Sequence, residues 1–242
     1  MAKQDMESIG SLLGKSWQVY RNNLSKFVTL IILYTLPWLA VGLITTLFKA
    51  ANYLLENNTA WLVLINIFLA LLMLGGLLLG IVVYFSAQAA IFILVQKEKT
   101  KLSVSKLFYE GKKYAWDYFV LGIFSTILIF LWTLLFIVPG FIFMIYYSVA
   151  FWALFAEDKK GYSALKHSKQ LIKGKWWAVF WRIFSVSFFL WVIMMIPVYF
   201  MDSKAAVETW GDITNIINII VSPFLVAYSY FIYKDLLRLK KK

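Results

Sequence analysis

Residues Trp61–Gln96 run for 36 positions without a single charge. A helix of that length is roughly 54 Å long at about 1.5 Å rise per residue. A soluble domain has no interior large enough to take it on all sides, whereas a bilayer does. In lipid no water satisfies free backbone groups, so such a run must be helix or closed barrel. No alternation of polar and apolar residues marks barrel strands, so helix is the reading.

Four further apolar runs are of spanning length or longer, and one is short. They are Phe27–Phe48, Tyr118–Val138, Phe141–Ala156, Trp176–Phe200 and Ile213–Tyr233. Phe141–Ala156 is the short one, following its predecessor across Pro139-Gly140. The 36-residue run reads either as one tilted or bent helix, loosened at Gly75-Gly76 and Gly80, or as two short spans. Charge decides between them. With six spans, 22 of the 24 Lys and Arg residues fall on one side, including Lys3, Lys99, Lys101, Lys241 and Lys242; only Lys49 and Lys204 fall on the other. The positive-inside rule puts the 22 in the cytoplasm with both chain ends. Splitting the long run would destroy this partition. The expectation is one transmembrane domain over residues 1–242 of a cell (inner or plasma) membrane protein. No cleavable signal peptide is expected, since residues 1–25 are polar and amphipathic.

The net charge of +12 follows from the same topology. Basic residues flank the spans instead of gathering on one groove, so nucleic acid is not an expected partner. Anionic lipid headgroups are, at about 1 kcal/mol per basic residue near the surface. A membrane or peripheral protein partner is compatible with the same surface. Cysteine is absent and His167 is the one histidine, which removes thiolate sites, disulfides and multi-histidine metal centres. No cofactor is expected.

Three amphipathic segments precede the odd spans, over about 5–22, 103–115 and 162–174. Ile9, Leu12, Leu13, Trp17 and Tyr20 line one face of the first; Leu107, Phe108, Gly111 and Tyr114 one face of the second. Leu165, Ser168, Leu171 and Ile172 oppose Lys166, Lys169 and Lys173 in the third. Helices of this kind lie in the headgroup layer. Trp17, Trp116, Lys173, Lys175, Trp176 and Trp177 are the expected interfacial anchors. The spans also echo one another: Phe130-Leu131-Trp132 precedes Pro139 as Phe189-Leu190-Trp191 precedes Pro197, and even spans carry Phe85-Ser86, Tyr147-Ser148 and Tyr228-Ser229. The fold expected is all-α: a polytopic bundle of six spans in three parallel hairpin repeats, each preceded by an interfacial helix.

Pro139-Gly140, Glu157-Asp158, Ala164-Leu165-Lys166-His167-Ser168 and Leu171-Ile172-Lys173-Gly174-Lys175-Trp176-Trp177 occur in that order. Pro223 and Tyr233-Lys234-Asp235-Leu236-Leu237-Arg238 follow. In this order, over roughly the C-terminal half, the chain resembles the glycerophosphodiester phosphodiesterase membrane-domain family and related uncharacterised bacterial multi-span proteins. The resemblance implies a helical, membrane-embedded architecture. The catalytic domain to which some members are fused would not fit in this chain.

Two constellations stand out as candidate sites. Asp117 and Arg182 lie at the starts of spans three and five and are candidates for an intramembrane pair; snorkelling to the interface is the alternative. Tyr84, Ser86 and Gln88, with Ser148, form a polar patch, read as interhelical hydrogen bonding or as the wall of a transport cavity. His167 is expected to be solvated or lipid-facing, in its neutral form. The function expected is non-enzymatic: membrane organisation or partner support through lipid and protein contacts. The alternative is a transporter or channel for a small or amphipathic solute.

Overall fold

The computed structural model describes residues 6–54, 59–98 and 102–240. Lys3, Lys99, Lys101, Lys241 and Lys242 lie outside the described residues. Among those described are nine helices and no strand: α1 (Ile9–Asn22), α2 (Leu24–Leu54), α3 (Thr59–Gln96), α4 (Val104–Leu135), α5 (Ile137–Tyr147), α6 (Ala150–Glu157), α7 (Tyr162–Ile172), α8 (Trp176–Tyr199) and α9 (Lys204–Lys240). Six stretches are long and apolar enough to cross a membrane: α2, α3, α4, α5–α6 together, α8 and α9. In the most apolar window of α3 only 6% is buried by protein. A surface so apolar needs lipid as its solvent.

The 36-residue uncharged run forms one unbroken helix, α3, of which Gly75, Gly76 and Gly80 are interior residues. Pro37 lies inside α2, where a proline removes a backbone hydrogen bond and crowds the preceding turn. Gly80 of α3 faces it. A Cβ on Gly80 would lie 2.9 Å from Pro37 Cβ, so the bare glycine lets α2 and α3 touch there. Farther along the hairpin, Asn52 and Asn66 exchange amide hydrogen bonds of 3.3 and 3.2 Å. α4 crosses α3 through Gly111, which lies directly against the Ser86 carbonyl and Ala90.

The fourth apolar run is not one helix. α5 begins after Phe136, whose extended backbone breaks the chain from α4. Pro139 sits in the first turn of α5, where its missing N–H costs nothing. The run breaks again at Ser148 and Val149 before α6. Asp158, at φ 51°, ends α6, and the Lys159 N–H closes back on the Ala153 carbonyl at 3.1 Å.

The buried core lies at one end of the bundle, the end that carries most of the lysines. It contains Phe27 and Leu30 of α2, Ala87 and Ala89–Val95 of α3, Trp152–Phe155 of α6, and Tyr228, Tyr233 and Leu236 of α9. The opposite halves of the spans are covered with exposed Leu, Ile and Phe. Both described ends of the chain meet at the basic end, where the Glu7 N–H donates to Asp235 Oδ2 at 2.7 Å.

The amphipathic segments differ from simple lipid-surface helices. On α1, Leu12, Ser16, Val19 and Tyr20 are buried, and Tyr20 donates its hydroxyl to the Ile220 carbonyl of α9 at 3.1 Å. The second segment is the first part of α4; its Leu107 is buried and its Gly111 lies against α3. On α7, Ala164, Leu165, His167, Ser168, Leu171 and Ile172 are buried, and Ser168 donates to the Tyr146 carbonyl of α5 at 2.6 Å. Helical periodicity identifies an apolar face, and here protein covers much of it where lipid was expected.

Candidate functional site

Ionic and polar groups concentrate at the basic end, and three clusters organise it. The first joins α6, α7 and α9. Tyr233 donates its hydroxyl to Glu157 Oε1 at 2.5 Å, and Lys159 Nζ lies 2.8 Å from Oε2 of the same carboxylate. His167 is only 8% exposed, which corrects the expectation that it is solvated or lipid-facing. Its Nδ1 is 2.5 Å from Lys159 Nζ. Its Nε2 is 2.9 Å from Glu157 Oε1, but off-line, so no hydrogen bond forms there. Burial pushes His167 below its ordinary pKa; the Glu157 carboxylate opposes this, and the Lys159 and Lys240 ammoniums reinforce it. The neutral ring can accept from Lys159 through Nδ1. The cluster links α6, α7 and α9.

The second cluster clamps the chain ahead of α1. Arg182 donates from Nε at 3.0 Å and from Nη2 at 2.5 Å to the Glu7 carbonyl, and from Nη1 at 2.8 Å to the Ala178 carbonyl. Asp235, 3% exposed, takes the Glu7 N–H on one oxygen, and its other lies 2.6 Å from Arg238. The Glu7 side chain reaches Lys15 and Ser11, and the Lys15 hydrogen bond helps hold its carboxyl below the usual range. Glu7 is thus held through its N–H, its carbonyl and its carboxylate.

The third cluster corrects the expected Asp117–Arg182 pair. Asp117 is 2.8 Å from Lys160, in the link between α6 and α7, and Arg182 is engaged by Glu7. Hydrogen bonding to Asp117 raises the Lys160 pKa. Arg182 still staples two parts of the bundle, but through the Glu7 backbone carbonyl.

The residues of the expected polar patch are distributed differently. Tyr84 packs edge-on against Tyr34, with ring centroids 5.6 Å apart. Ser86 is fully buried and donates to the Val82 carbonyl of its own helix at 2.6 Å. Gln88 is half-buried on the same helix. Ser148 lies at the α5–α6 break with its hydroxyl buried and unpartnered. Among the described residues no hydrogen bond joins the four. The three aromatic-serine pairs serve different ends: Ser229, unlike Ser86 and Ser148, receives the Trp152 indole N–H at 2.8 Å.

Of the expected anchors, Trp17, Trp116 and Trp177 are exposed, as is Lys173. Trp176 and Lys175 are half-buried. The Trp176 indole N–H donates to the Ile142 carbonyl of α5 at 3.1 Å, so this ring fastens α8 to α5. Among the described residues no three metal-ligating side chains converge.

Six apolar stretches with a polar brace at one end define a multi-pass α-helical membrane protein. No family model, no curated protein and no solved structure matches this chain.

Proposed function

We propose that this chain is a non-enzymatic membrane protein of the cell (inner or plasma) membrane. Its basic end and both termini face the cytoplasm, and it organises lipid or supports a protein partner there. One observation carries this reading: α1 and α7 turn their apolar faces into the bundle and keep Lys15, Arg21, Lys166, Lys169 and Lys173 on the outer surface. Such a surface attracts anionic headgroups. Both ring nitrogens of His167 face protein groups, which supports reading its cluster as structural. The packing of Ser86 against its own helix gives no support to a transport route at that level. Membership in the phosphodiesterase membrane-domain family is proposed on the ordered residues quoted above.

Purification in mild detergent, followed by identification of the retained lipids and proteins, tests the function. Enrichment of anionic lipid or of a defined protein partner is expected. Retained lipid of bulk composition with no retained partner would refute it. Tags at both termini are expected to report the cytoplasm.

A further inference from the structure

A groove of about 420 Å³ lies between the outer part of α4, α5 and α7. Leu128, Trp132, Phe143 and Tyr147 form its apolar side. Trp132 and Phe143 stack with centroids 4.3 Å apart and planes 9° apart, which gives a flat aromatic floor. Lys166, Lys169 and Lys173 form the other side. Their spacing of three and four places them on one face of α7.

These lysines differ from four others at the basic end. Lys15, Lys97, Lys159 and Lys160 pair with Glu7, Glu110, Glu157 and Asp117. Among the described residues none of the three groove lysines forms an ion pair, and no carboxylate lines the groove. Lys169 Nζ instead stands 4.7 Å over the Phe143 ring and 5.8 Å from that of Tyr146. Phe143 and Tyr146 belong to an apolar spanning stretch. A cation drawn toward hydrocarbon needs a counter-anion or retreats to the interface. A groove with an aromatic floor and three uncompensated ammoniums has the two-sided chemistry of a phospholipid's headgroup and upper chain.

We propose that this groove binds one anionic phospholipid. Its phosphate lies against Lys166, Lys169 and Lys173, and an acyl chain follows Leu128 and Trp132. The proposal rests on the lipid-contact reading and narrows it to a single site.

The test uses the full chain in phosphatidylcholine nanodiscs doped with phosphatidylglycerol, with the bound lipid measured by native mass spectrometry. Wild type is expected to retain phosphatidylglycerol over phosphatidylcholine. K166Q/K169Q/K173Q is expected to lower that preference by up to roughly 100-fold, from the pull of three basic side chains at the surface. K166R/K169R/K173R is expected to keep it. K106Q/K112Q/K113Q removes equal charge from α4 outside the groove and is expected to keep it too. Loss in the Arg variant, or equal loss in the α4 variant, would overturn the site. Wild-type preference unchanged in the Gln variant would overturn the groove while leaving the broader lipid reading intact. No wild-type preference would overturn the site; the broader reading falls only if, in addition, purification in mild detergent retains lipid of bulk composition and no protein partner. Millimolar glycerol 3-phosphate should leave the lipid in place; full displacement would identify the ligand as a free phosphate ester and overturn the lipid.

Discussion

Replacing Gly111 with alanine tests the crossing of α4 over α3. A Cβ at this position would lie 2.2 Å from the Ser86 carbonyl oxygen, 2.8 Å from the Ala90 nitrogen and 3.1 Å from the Ala90 Cβ. The two shortest contacts are to backbone inside a helix, so no side-chain rotation relieves them. Carbon–oxygen contacts settle near 3.3 Å or beyond. The helices must therefore separate by about 1 Å, at an overpacking cost of about 1–3 kcal/mol. Alanine's better helix propensity offsets up to about 1 kcal/mol of this. Gly122, on the same helix, has nothing within 4 Å of its would-be Cβ. G122A is therefore expected to be neutral or stabilising by up to about 1 kcal/mol. Reversible unfolding in mixed micelles, followed through the fluorescence of the 11 tryptophans, compares the two variants. G111A as stable as wild type would mean that α3 and α4 do not touch there.

Three other outcomes follow from the basic end. Y233F removes the hydrogen bond that buried Tyr233 donates to the partly exposed Glu157 carboxylate and should cost about 0.5–1.5 kcal/mol in the same unfolding assay; no loss would mean that Tyr233 does not hold Glu157. His167 has a lowered folded-state pKa, so the unfolded chain takes up its proton first as pH falls. Stability should be full above about pH 6.5 and decline below it by at most about 1.4 kcal/mol per pH unit, levelling off below the folded pKa. H167Q should flatten that slope, measured from pH 8 to 5; an unchanged slope would move its origin elsewhere. R182M frees the Glu7 carbonyl and should speed amide exchange in α1 relative to α2, by hydrogen-exchange mass spectrometry; equal protection in wild type and variant would argue against the clamp.

The spans were legible because a long uncharged run has one solvent that suits it on all sides. Trp61–Gln96 needed no partner information to be read as a helix. Azimuth was not legible. Asp117 could meet Arg182 or Lys160, since all three belong to the same end, and nothing along the chain says which helix face turns where. The periodicity of α7 revealed that Leu165 and Leu171 share a face. That same face could have rested on acyl chains, and only the arrival of α5 and α6 alongside buries it with His167. The break at Ser148–Val149 was hidden because neither residue is a strong helix breaker. The groove lysines were visible as an amphipathic stripe, while Trp132 and Phe143, distant in sequence, were not visibly its floor.

The clamp on Glu7 has a consequence for biogenesis. Its carboxylate partner, Asp235, emerges from the ribosome 228 residues later, which is about 10–45 s at ordinary translation rates. Throughout that interval Leu12, Val19 and Tyr20 lack their final neighbour. α1 is made long before it is locked, so membrane insertion of the nascent chain must keep that surface sheltered until the last turns of α9 are released.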